Sequence, residues 1–234
     1  MNRRLERIFS MIEPGRGLID VGTDHGYLPV QLALEGYPGR LFASDIREGP
    51  LAAAKISAAQ YGVSDRIRFL LCDGLADCPP EEVDTIVIAG MGGDAICGIL
   101  DRAEWCMDAA YRLILQPMTK PEVLRYWLIN NGFALTKEAL VSDGGVVYQI
   151  IEAVYFGVNE RLGDAELYVG KAFPKEKDLY RELVDDQLRR IERRLCGLES
   201  AGLPDGRQIR EQERLKAEFL ALRSACHDKG QGHI

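Results

Sequence analysis

Acidic residues recur just after short apolar runs in the first third of this chain, and that recurrence is its first chemical signal. The run Gly17–Val21 leads into Asp20-Val21-Gly22-Thr23-Asp24-His25. A glycine at the end of a strand lets the backbone approach a ligand where a side chain would clash. The run ending Ser44-Asp45-Ile46 places an acid where it can accept both hydroxyls of a ribose. The run ending Cys72-Asp73-Gly74 places another within reach of an amino group on a base. Any one of these is ordinary turn chemistry. Three in succession form a constellation.

A fourth run ends Ala89-Gly90-Met91-Gly92-Gly93. Glycines this dense cost conformational entropy unless the backbone needs unusual dihedrals or close approach. A pocket wall along which a flat base slides would need both, whereas a hinge or a plain helix start is the blander alternative. A fifth run ends Gln116-Pro117-Met118, where the glutamine can bond a base edge or cap a loop.

Several chemistries fit poorly. No Gly-x-Gly-x-x-Gly fingerprint follows the first run and no phosphate-loop lysine is present, which disfavours NAD and ATP. The six cysteines form no Cys-x-x-Cys pair and the three histidines have no ligand spacing, so neither a structural zinc nor any other metal is expected. Scattered thiols on core segments imply a reduced, cytoplasmic setting. The basic start, Met1-Asn2-Arg3-Arg4, is followed by no signal-peptide core, and no run approaches the roughly 20 apolar residues that span a bilayer. No membrane role is expected. Residues 1–156 carry the whole net charge of −7, while residues 157–234 balance to zero, so local basic clusters remain free to meet phosphate.

The elements that must carry these residues follow from periodicity. Nearly continuous apolar runs at Gly17–Val21, Arg40–Asp45, Ile67–Cys72, Thr85–Ala89 and Arg112–Gln116 suit parallel strands covered on both faces. Helical patterns lie between them at Leu28–Leu34, Pro50–Tyr61, Asp94–Arg102 and Pro121–Asn130. Phe133–Val141 and Val146–Phe156, joined through Ser142-Asp143-Gly144-Gly145, form a hairpin signal. An α/β fold follows: a doubly wound, mostly parallel seven-stranded sheet closed by that hairpin. Beyond about Lys175 long charged side chains take over. Val184, Leu188, Ile191, Leu195 and Leu198 make a heptad seam, and Leu215, Phe219, Leu222 and Cys226 make a second. Gly202-Leu203-Pro204-Asp205-Gly206 separates them, which predicts a coiled-coil-like antiparallel helical hairpin. The expected division is 1–160 for the catalytic domain and 170–228 for the hairpin.

At these residues the chain resembles the bacterial tRNA (adenine-22-N1)-methyltransferases, the TrmK family, over nearly its whole length. The resemblance rests on Asp20-x-Gly22-Thr23-Asp24-His25-x-Tyr27-Leu28-Pro29, Asp73-Gly74, Ala89-Gly90-Met91-Gly92-Gly93 and Leu113-Ile114-Leu115-Gln116-Pro117. The family usually follows Gln-Pro with Asn where this chain has Met118, so any base contact by that Asn is lost or moved here. The resemblance implies a Rossmann-like class I methyltransferase fold. It also implies S-adenosyl-L-methionine as cofactor and methyl transfer to N1 of an adenine in tRNA. Asp20, Gly22, Thr23, Asp45, Ile46, Asp73, Gly74 and Gly90 then become cofactor-binding residues. Asp24 is the expected stabiliser of the cationic product, His25 a positioner of base or phosphate, and Tyr27 and Met91 walls for the adenine. Arg3, Arg4, Arg7 and Arg16, with Arg189, Arg190, Arg193 and Arg194, are candidate phosphate grips for a monomer or homodimer. Other readings remain: a same-fold enzyme acting on ribosomal RNA or a small molecule, or a non-catalytic RNA-binding protein.

Overall fold

The computed structural model describes residues 2–171, 176–200 and 206–228. It divides into two compact units, Met1–Arg161 and Leu162–Ile234.

The first unit is built on seven strands. In chain order they are β1 (Gly17–Val21), β2 (Arg40–Asp45), β3 (Ile67–Leu71), β4 (Thr85–Gly92), β5 (Arg112–Thr119), β6 (Phe133–Asp143) and β7 (Val146–Tyr155). Their spatial order is β3-β2-β1-β4-β5-β7-β6, with the first five parallel and β7 antiparallel to both neighbours. All five residues of β1 are buried, as a central strand covered on both faces requires. Its neighbours alternate between two cores. Ile19, Val21, Ile86 and Ile88 pack with Ile96, Leu100, Leu124 and Leu128, while Leu18, Val87 and Ile114 pack with Ile8, Leu28 and Leu32 on the other face. The helices supplying these residues are α1 (Arg3–Phe9), α2 (Tyr27–Leu34), α4 (Gly93–Asp101) and α5 (Pro121–Asn130), and α3 (Glu48–Gln60) adds Ala58 to the second core.

Several elements depart from their expected limits, β5 running on to Thr119 instead of Gln116 and β6 to Asp143 instead of Val141. The basic start is a helix: Asn2 caps α1 by accepting Leu5 N–H at 2.9 Å, and Ile8 and the following Met11 are buried against the sheet. β4 runs on to Gly92 instead of stopping at Ala89, with its register broken around Gly90. Gly90 has φ +81, a left-handed conformation that glycine adopts without strain at this irregularity. The hairpin turns on Gly144 and Gly145, φ +58 and +77, the pattern of a two-residue primed turn.

The second unit holds α6 (Asp164–Val169), α7 (Lys177–Glu199) and α8 (Gly206–Asp228). Cross-links run Arg194–Gln212, Glu192–Lys216 and Asp185–Arg223, so α7 and α8 are antiparallel. Val184, Leu188 and Ile191 face Leu215, Phe219 and Cys226 as buried seams, while Leu195, Leu198 and Leu222 are half-buried. Residues 202–205 of the expected connection lie outside the described residues. The short α6 gave no sequence signal strong enough to be expected. It bonds to α8 through Glu218, which accepts Ala165 N–H at 2.9 Å, and through an Arg214–Asp164 ion pair.

Candidate active site

β1 pairs with β2 on one side and β4 on the other, so the chain reverses its direction of travel across the sheet at β1 and β4. Strand ends diverge at such a point, and ligands of open α/β sheets bind there. A cavity of about 770 Å³ opens there, within the range usual for small-molecule sites.

The strand ends supply the floor. Asp20 is buried, and its carboxylate accepts the Thr23 hydroxyl at 2.7 Å. Burial pushes its pKa up to about 6, against the lowering effects of that hydrogen bond and of the nearby Arg4 guanidinium. Asp45, also buried, ends β2; its carboxylate accepts Arg47 N–H at 2.9 Å and lies 3.7 Å from the Arg47 guanidinium. Asp73 is exposed after β3 and paired with Arg102 at 3.0 Å. Gly22 has φ +72, and a Cβ there would fall 2.2 Å from Met91 Cε. The backbone therefore favours glycine, while the Met91 side-chain end could swing aside from a Cβ.

The lip of the cavity beyond Gly22 is more open. Asp24 lines the cavity in the left-handed region at φ +51, which aspartate tolerates better than most residues. Tyr27 is 53% exposed and stacks on His25 with ring centroids 5.4 Å apart. His25 lies 3.9 Å from Asp24 and outside the cavity lining, so it backs the tyrosine. Of the twelve sequence-derived site residues, the other eleven line this one cavity: Asp20, Gly22, Thr23, Asp24, Tyr27, Asp45, Ile46, Asp73, Gly74, Gly90 and Met91.

The capped first helix brings Asn2, Arg4 and Leu5 into the lining, although Arg4 was expected only as a phosphate grip and the other two not at all. The signal was present in Asn2 followed by Leu5, Ile8 and Met11 at helical spacing. The N-terminal arginines do not form one patch. Arg4 turns into the cavity, whereas Arg16 donates to the Val83 carbonyl at the amino end of the sheet. Gln116 is fully buried and outside the lining, so it presents no edge to a base. Met118 Sδ accepts from the Gln116 amide at 3.6 Å and thereby anchors it.

The residues fit S-adenosylmethionine. A buried carboxylate lining a cavity favours a cationic ligand, and Asp45 offers acceptors for ribose hydroxyls. Gly22 presents bare backbone to the cavity. Among the described residues no His, Cys, Asp and Glu cluster could hold a metal ion, and no helix is long and apolar enough to cross a membrane.

Fold and cavity together define a methyltransferase domain, and the model of the family described as "Methyltransferase domain" matches residues 1–151. The chain is 31% identical over 185 residues to the tRNA (adenine(22)-N(1))-methyltransferase of Bacillus subtilis, covering 76% of each protein. The crystal structure of the B. subtilis M1A22 tRNA methyltransferase TrmK superposes with a TM-score of 0.80 at 26% identity, covering 97% of this chain and 99% of that one. Streptococcus pneumoniae Sp1610 in complex with S-adenosyl-L-methionine gives 0.79 at 28%, covering 95% and 99%. The chain belongs to the tRNA (adenine(22)-N(1))-methyltransferase family.

Proposed function

We propose that this protein transfers the methyl group of S-adenosylmethionine to N1 of an adenine in tRNA, at position 22 as in its B. subtilis relative. The observation that carries the reading is the cavity at the β1/β4 reversal, where Asp20, Asp45 and Asp73 converge beside the bare Gly90 backbone. Asp45 would accept the ribose hydroxyls, Asp73 the adenine amino group of the cofactor, and Ile46 would pack on its ring. Thr23, Gly22, Gly74 and Gly90 shape the groove around it.

The cofactor, when bound, supplies an electrophilic methyl group on a cationic sulfur. N1 of adenine already carries a lone pair, so the protein needs no strong general base. Its work is orientation and charge stabilisation. The target base must leave its stack at a cost of a few kcal/mol, which flat and apolar walls offset. Tyr27 and Met91 would be those walls, with His25 holding the tyrosine ring. Asp24 is placed to favour the positive charge that appears on the methylated base. The protein would act in the cytoplasm, as monomer or homodimer, and grip the tRNA backbone through α7. There Arg189 and Arg190 share Asp186, while Arg193 leans on the Arg189 carbonyl and Arg194 on Gln212.

Incubation with labelled S-adenosylmethionine and unmodified tRNA, followed by nucleoside mapping, tests the reading. Label in 1-methyladenosine at position 22 is expected. Label only in ribosomal RNA or a small molecule would replace tRNA as the substrate, and no label in any acceptor despite cofactor binding would remove the enzymatic reading.

A further inference from the structure

Gln116 and Pro117 stand where β5 meets the end of β4, and the ladder between the two strands changes there. Pro117 has no N–H to give. On β4 the pairing passes from Ala89 opposite Gln116 to Met91 opposite Pro117, so Gly90 is the residue that the register skips. A skipped residue is left without a ladder partner, yet its N–H still needs an acceptor. The Gln116 side chain supplies it: its oxygen accepts Gly90 N–H at 3.1 Å, and Arg4 Nη1 as well. Its nitrogen donates to the Pro117 carbonyl at 2.8 Å and to Met118 Sδ at 3.6 Å. Donors thus stand on one side of the amide and acceptors on the other, which fixes the way it faces. The side chain is fully buried, with both lone pairs and both protons in use.

The stretch that Gln116 holds is tightly enclosed. Gly90 has φ +81, and a Cβ there would lie 3.3 Å from Arg4 Nη1. A Cβ on Gly93 would fall 2.2 Å from the Lys120 carbonyl oxygen. Bulges beside active sites re-aim neighbouring side chains. Met91 follows this one, lines the cavity and reaches the end of β1, where a Cβ on Gly22 would meet its Cε at 2.2 Å. Methionine has three rotatable bonds and little rigidity of its own, so the place of Met91 depends on the backbone that carries it.

We propose that Gln116 is a positioning residue for methyl transfer: by accepting Gly90 N–H in place of a ladder partner it fixes the bulge, and through the bulge it holds Met91 against the target adenine. This rests on the assignment of Met91 as a wall for that base, made above. Gln116 lies outside the cavity lining and touches neither base nor cofactor. Its effect falls on the alignment of N1 with the methyl group, where a misplacement of about 1 Å costs about 100-fold in rate.

Single-turnover methylation of tRNA by the full-length protein at saturating S-adenosylmethionine tests this, because saturation removes effects on cofactor affinity. Gln116→Met keeps the length of the side chain and removes the acceptor; it should slow the step about 10- to 100-fold and leave tRNA affinity unchanged. Arg4→Met removes the other donor to the same oxygen and leaves the Gly90 bond, so adding Gln116→Met to it should slow the step further. Gln116→Glu keeps an acceptor for Gly90 and should recover part of the rate. Hydrogen exchange at the Gly90 amide should be faster in Gln116→Met and unchanged in Arg4→Met. Gln116→Asn, which draws the carbonyl back by one methylene, gives the same comparison if Gln116→Met does not fold. A wild-type rate in Gln116→Met, or no further loss on the Arg4→Met background, overturns the proposal. A slowed rate with unchanged Gly90 exchange also overturns it and leaves Gln116 a packing residue. Wild-type protein that methylates no tRNA would instead overturn the function on which the proposal rests.

Discussion

Asp20 bears a cost that only a ligand can repay. Folding raises its pKa from 3.8 to about 6, chiefly through burial, so the native state holds the proton more tightly than the unfolded chain does. Its contribution to stability is therefore full below pH about 4 and is lost as pH rises through about 6. Asp20→Asn is expected to raise the melting temperature relative to wild type at pH 8, with the gain disappearing near pH 4. The same variant should lose cofactor affinity. A variant no more stable at pH 8 would mean that this carboxylate is not burdened by burial. Asp45→Ala removes acceptors from the other buried acid, and calorimetry should show S-adenosylmethionine binding weakened by about 10- to 150-fold. Asp24→Ala should act differently, lowering single-turnover rate more than cofactor affinity, because the work proposed for Asp24 is on the methylated base. Wild-type turnover in that variant would remove Asp24 from the chemistry.

The strand ends were legible in the sequence because each pairs a β-rich run with an acid and a glycine, and β1, β2 and α5 match their expected limits residue for residue. The first helix was not legible in the same way. Arg3, Arg4 and Arg7 dominate its composition, so its apolar Leu5, Ile8 and Met11 are masked by charge. β4 also outran its expected end, because glycines argue locally against a strand while pairing with β5 holds them in one. The role of Gln116 lay beyond reach for another reason: its partners come from sites as distant in sequence as Arg4. Within the β1–α2 connection, Gly22→Ala should cost about 1–2 kcal/mol from left-handed strain, with little added by the contact to the movable end of Met91. Thermal melts should show Met91→Ala in the same chain relieving that contact and leaving the strain. Full recovery would mean that the dihedral is unimportant.

Across the whole molecule, charge is distributed by task. The cavity unit holds the acidic excess, while the balanced second unit gathers arginines on α7. Asp186 neutralises part of that gathering through Arg189 and Arg190, at 3.4 and 2.7 Å. Arg193 and Arg194 carry no carboxylate partner within ion-pair distance among the described residues. Replacing Arg193 and Arg194 together with alanine should therefore weaken tRNA binding and flatten its dependence on log salt by about 1.4–1.8, the release expected for two phosphate contacts. The Arg189 and Arg190 pair should matter less. Equal slopes in the wild type and both double variants would move the phosphate contacts away from α7.

The bond from Arg4 N–H to Asp143 spans 139 positions, and it ties the first helix of the first unit to its penultimate strand. Synthesis runs in the other order of need. When β1 to β5 have left the ribosome, β5 still offers an open edge, because its partner β7 is the last strand made. Until β6 and β7 emerge, α1 lacks the β6 surface it packs on and the Asp143 acceptor of its Arg4 N–H, and Gln116 of β5 alone is there to hold the Arg4 side chain. A nascent or prematurely terminated chain ending before about Tyr155 would thus have every acidic strand end and still lack a finished pocket. The distance along the chain from Arg4 to Asp143 makes a complete first unit the condition for a complete site.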